Sequence, residues 1–71
     1  MTAFKPREIV RILEKLGYIQ KRQTGSHLMM YHPQKKVIIP VPIHPKDIKH
    51  GLAKGIIKKA GSTEKEFIKL K

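Results

Sequence analysis

The chain has 71 residues, which fits one small domain over 1–71. A domain this short buries only about 60% of the surface of its unfolded chain, so a deep enclosed cavity is not expected and any site should be a surface groove or a sheet edge. There is no cysteine, which excludes disulfides and thiolate metal sites, and sixteen Lys and Arg against five acidic residues give a net charge of +11.

A charge of this size and sign implies a polyanionic partner: nucleic acid, a membrane surface or an acidic protein. Lysine-rich composition also occurs in proteins with no nucleic-acid role, so charge alone does not choose among them. No apolar run is long enough to cross a bilayer. The opening "MTAFKPREIV" lacks a basic region followed by a continuous apolar stretch, so no signal peptide is expected. Absence of cysteine fits a reducing compartment, and the expectation is a cytoplasmic protein with no membrane partner.

Residues 6–16, "PREIVRILEKL", predict a helix, with Ile9, Ile12, Leu13 and Leu16 on one face. Pro6 suits its first position, Glu8 favours its N-terminal dipole, and Gly17 supplies a left-handed cap. Arg7, Arg11 and Lys15, four apart, form a basic stripe read as a solvated face. Residues 18–23, "YIQKRQ", predict a first strand, "TGS" a tight turn, and 26–32, "SHLMMYH", a second strand. After a turn at "PQK", residues 36–42, "KVIIPVP", predict a third strand, which Pro40 and Pro42 place at an edge or end early. Short connections favour an antiparallel meander.

Residues 45–60, "PKDIKHGLAKGIIKKA", predict a second helix. Its apolar stripe is Ile48, Leu52, Ile56 and Ala60, widened by Ala53 and Ile57. Pro45 fits the first turn, with Asp47 nearby. Gly51 and Gly55 each cost roughly 1 kcal/mol against alanine in an exposed helix interior, and imply close approach to the sheet or fraying. Gly61 ends this helix, and Thr63 with Glu66 matches a capping box for a last short helix, Glu64 to Leu70, that packs Phe67. The order is α-β-β-β-α with a short C-terminal helix, an α+β fold with both long helices on one face of a three-stranded antiparallel sheet and the other face open. Such a basic, open-faced domain suits RNA.

Four histidines are candidates for chemistry. His27 and His32, five apart on one strand, point to opposite faces, and with no cysteine a metal site lacks convergent ligands, so no metal and no cofactor is expected. RNA cleavage needs no metal: a group of near-neutral pKa takes the ribose 2′-OH proton, and cations stabilise charge on phosphorus. His27 follows a Gly-Ser turn that leaves room for a phosphate, with Lys21, Arg22, Lys35 and Lys36 close in sequence and Ser26 adjacent. On the residues alone, a half-exposed strand histidine without chemistry is the better reading of His27. Lys46 and Lys49, near the second helix start, are further backbone-contact candidates. His44 fits a phosphate contact or a second proton-transfer group, but is read as a cap of that helix or a supporting residue. His32 and His50 are read as solvated. Leu28 and Met30 share one face, and His27, Met29 and Tyr31 the other; period alone does not say which is core. Tyr31 fits either a base-stacking side chain or a packed one.

In one register, the chain resembles the HicA toxin family of mRNA interferases. The residues that carry the resemblance are Leu13 to Tyr18 (Leu-x-x-x-Gly-aromatic), Gly25-Ser26-His27, Pro42-Ile43-His44, and Lys58-Lys59-Ala60-Gly61. Ala53, where a larger aliphatic residue is common, and mid-helix Gly55 depart from the pattern and bear on helix stability. The resemblance implies a fold like the double-stranded-RNA-binding domain. It implies an endoribonuclease that cuts mRNA, with His27 catalytic, and a HicB-type antitoxin partner that covers the site. The alternatives are a non-catalytic RNA-binding module of the same fold and a structural protein whose charge only meets an acidic neighbour.

Overall fold

The computed structural model describes residues 3–43 and 46–71. The elements run α1 (Pro6–Lys15), β1 (Ile19–Thr24), β2 (His27–His32), β3 (Val37–Pro42), α2 (His50–Lys59) and α3 (Glu64–Leu70). The strands form an antiparallel sheet in the order β1-β2-β3. This is the expected α+β layout. Three strand starts and the α1 end move by a residue, as ends fray.

The sheet divides cleanly by face. Met30, Ile39 and Val41 alternate inward and join Ile9, Ile12 and Leu13 of α1, Ala53, Ile56 and Ile57 of α2, and Phe67 of α3 in one core. Burying each of the larger side chains among them, Ala53 apart, contributes roughly 1.5–3 kcal/mol. The alternation then turns His27, Met29 and Tyr31 to the side without helices.

Both long helices end in the same way. Gly17 has φ +101°, its N–H donates to the Glu14 carbonyl at 3.0 Å, and the Tyr18 N–H donates to the Leu13 carbonyl at 2.9 Å. That is a Schellman cap, and it turns the chain directly into β1. A Cβ at Gly17 would lie 2.9 Å from His32 Nε2, so glycine is also required for close approach.

His32 is therefore not solvated: it is 6% exposed. Its Nδ1 accepts from the Lys35 N–H at 3.0 Å and its ring stacks edge-on against Tyr18, centroids 5.0 Å apart. Period-2 alternation puts it on the Met30 side, beneath the α1 cap. The Tyr18 hydroxyl is buried without a partner among the described residues, and that burial raises the phenol pKa above its ordinary value.

The second helix is shorter than expected. Ile48 is in a β-bridge with Phe4, its N–H donating to the Phe4 carbonyl at 2.8 Å, so its backbone is committed elsewhere and α2 begins at His50. Pro45 lies outside the described residues. Leu52 leaves the core stripe and is 48% exposed. Nothing lies within 4 Å of a Cβ built on Gly51 or Gly55, so neither glycine serves packing on the sheet. Phe4, absent from any sequence periodicity, is fully buried and meets Phe67 edge-to-face at 6.1 Å. Thr63 Oγ1 accepts from the Glu66 N–H at 3.1 Å, half of the expected box, while the Glu66 carboxylate takes the Ser62 hydroxyl instead. Lys15 leaves its solvated stripe to donate to the Leu70 carbonyl at 2.9 Å.

Candidate nucleic-acid interface and active site

The β1–β2 hairpin places His27. Its two-residue loop is Gly25-Ser26, with Gly25 at φ +59° and Ser26 not at positive φ, the pattern of a type II′ turn. Such a turn matches the twist of the strands and fixes their register, so His27 opens β2 opposite Thr24 on one side and Pro42 on the other. The Ile43 N–H donates to the Ser26 carbonyl at 2.6 Å, which carries the pairing one step past β3. His27 is exposed.

The register arranges the open face in three rows across the strands. Thr24, His27 and Pro42 form the first, Arg22, Met29 and Pro40 the second, and Ile19, Tyr31 and Ile38 the third. A β-bulge lies between Gln20 and Arg22. Gln20 faces the helices, its Nε2 donating to Glu14 Oε2 at 3.2 Å. Lys21 faces the open side, its Nζ 4.8 Å from the centre of the Tyr31 ring. Arg22, opposite Met29, shares that side.

Beside the first row a groove runs between β3 and α2. His27, Pro42 and Leu52 are common to its two arms. One arm adds Lys46, Asp47 and Lys49. The other adds Pro40, Gly51, Gly55 and Lys59. No hydrogen bond joins His27 to Asp47 among the described residues, and among them no three His, Cys, Asp or Glu side chains converge. No strand carries an acidic residue.

The sequence candidates therefore separate. Lys46 and Lys49 share the His27 groove. Arg22 and Lys21 lie on the same open face, one and two rows away respectively. Lys35 and Lys36 are in the β2–β3 turn, at the opposite end of β2, about 17 Å from His27 along a strand rising ~3.4 Å per residue. They serve the turn: the Lys35 N–H holds His32, and Lys36 adopts φ +56° with its N–H donating to the His32 carbonyl at 2.7 Å. His44 lies outside the described residues. Sequence reasoning missed Leu52, Asp47 and Lys59 as groove residues. Lys59 falls seven residues after Leu52, hence on the same helix face, a signal hidden because that face was read as core.

Together these features define a small basic α+β domain with an exposed histidine between a cationic groove and an open sheet face. The family model for the HicA toxin of bacterial toxin–antitoxin systems matches residues 6–62, and the chain belongs to that family. It is a toxin-type protein of a system that pairs it with an antitoxin. No curated protein matches the chain. No helix is long and apolar enough to cross a membrane.

Proposed function

We propose that the chain is a metal-independent endoribonuclease that cleaves mRNA in the cytoplasm and is neutralised by a HicB-like antitoxin. One observation carries this reading: an exposed His27 stands at the junction of a groove whose arms hold Lys46, Lys49 and Lys59. His27 takes the proton of a ribose 2′-OH. The 2′-oxygen forms a bond to the adjacent phosphorus, the bond from phosphorus to the 5′-oxygen breaks, and that leaving oxygen takes a proton from solvent water. The products are a 2′,3′-cyclic phosphate and a 5′-hydroxyl. The lysines of the groove offset charge as it develops on the phosphoryl oxygens. His27 hydrogen-bonds to no side chain among the described residues, so its ring turns toward substrate without breaking a side-chain hydrogen bond.

The family match supports a toxin role, and a +11 chain suits both RNA and an acidic antitoxin surface. His27→Ala should fold normally and lose RNA cleavage and growth arrest. A variant that still cleaves would remove His27 from the chemistry. One that binds RNA as before while the parent chain also fails to cleave would favour the non-catalytic module.

A further inference from the structure

We propose that the open face of the sheet is a stacking platform for unpaired nucleobases, with Tyr31 receiving a base of the same single-stranded RNA whose phosphate lies at His27. This rests on the ribonuclease reading above and adds the form of substrate and a residue that selects it.

Four observations carry it. Tyr31 and His27 stand on one strand and one face, four residues apart, about 14 Å at ~3.4 Å per residue, the span of a few nucleotides. Tyr31 is flanked across the sheet by Ile19 and Ile38, which are 51% and 37% exposed and leave an apolar shelf uncovered by any helix. Strict alternation would send one of Lys21 and Arg22 to the helices, but the bulge aims both at this face. With no acid on any strand, the face is cationic as well as apolar, the pairing of charge and π-surface that binds single strands without groove readout. The ammonium of the exposed Lys21 lies over a half-buried ring and, still hydrated, is held more weakly than a stacked base, so an incoming base displaces it toward its own phosphate. Duplex RNA has no free base to offer this shelf.

The test measures affinity apart from cleavage. Fluorescein-labelled single-stranded RNA is titrated into His27→Ala carrying Tyr31, Tyr31→Phe or Tyr31→Leu, and probe integrity is checked on a gel afterwards. Cut probe would count against His27 as catalyst and leave the stacking result readable from early time points. Tyr31→Phe should bind within about twofold of the parent, and Tyr31→Leu about 5- to 150-fold more weakly. An abasic version of the probe should bind all three alike. The unpaired probe should bind more tightly than its duplex. A second measurement leaves the sheet intact: 2-aminopurine in the probe should be quenched on binding, as stacking requires. Equal affinity for Tyr31→Leu, unquenched 2-aminopurine, or a duplex bound as tightly would each overturn the platform. The first of these would reassign the face to a protein partner.

Discussion

Gly17→Ala is the sharpest test of how the fold is held. Two separate costs arise at this position. At φ +101° an L-residue sits in the left-handed region, which costs about 1–2 kcal/mol. The new Cβ would also lie 2.9 Å from His32 Nε2 and 3.4 Å from its Cδ2. His32 cannot simply swing away, because its Nδ1 accepts from the Lys35 N–H and its ring is wedged on Tyr18. Overpacking of this kind costs about 1–3 kcal/mol, for a total of about 2–5. A chain of this length has about 4–11 kcal/mol in all. Gly25→Ala is the control: φ is +59° but nothing lies within 4 Å, so only the backbone cost applies. Urea denaturation followed by circular dichroism should give the first variant a loss about 1–3 kcal/mol larger than the second. In a His32→Ala background that excess should vanish. Equal losses for the two alanine variants would refute the claim that His32 is a fixed wall against α1's cap.

Other consequences follow from single contacts. Tyr18→Phe removes a hydroxyl buried without a partner among the described residues and should raise stability by about 1 kcal/mol in urea melts. Burial raises the Tyr18 pKa above its ordinary 10.0, so the folded chain keeps a proton the unfolded chain has lost. Stability should fall as pH rises through that window, less so in Tyr18→Phe. Lys36→Gly relieves a residue at φ +56° and should gain about 0.5–1 kcal/mol after glycine's entropy is counted; a loss would show that its side chain holds the turn. Leu52→Ser, at a 48% exposed position, should cost under about 0.5 kcal/mol. Ile56→Ala, 4% exposed, should cost about 2–5 kcal/mol. Similar losses would return Leu52 to the core.

The legible parts of the sequence were those governed by local chemistry. The periodicity of Ile9, Ile12 and Leu13, the glycine after the first helix, the Gly-Ser turn and Thr63 before the last helix each specify their conformation within a few residues. What failed depended on contacts distant in sequence. Phe4 shows no period, and only its bridge to Ile48 and its contact with Phe67 reveal it as core. The same bridge explains why α2 starts late. His32 read as solvated because nothing local announces that Gly17 leaves a slot for it. Proximity in sequence likewise does not put Lys35 and Lys36 beside His27: eight and nine residues on, they lie past the far end of β2. Lys59, far from His27 along the chain, is the cation that α2 brings to its groove.

The division between the two faces bears on how such a small chain can be both stable and reactive. Among the described residues the buried aliphatic and aromatic side chains form one core with the helices, and of the open-face rows only Pro42 is buried. The residues proposed for chemistry and stacking, His27, Arg22, Lys21 and Tyr31, lie on the other side and join no core contact. Period-2 alternation couples the two, because shifting β2 by one residue would bury His27 and expose Met30. Register is therefore the shared requirement, held at one end by the Gly25 turn and at the other by His32 under Gly17. Substitutions on the open face should then alter RNA affinity or cleavage at nearly constant stability. Substitutions at the two register clamps should change both, and a clamp variant that loses stability while keeping full cleavage would separate them.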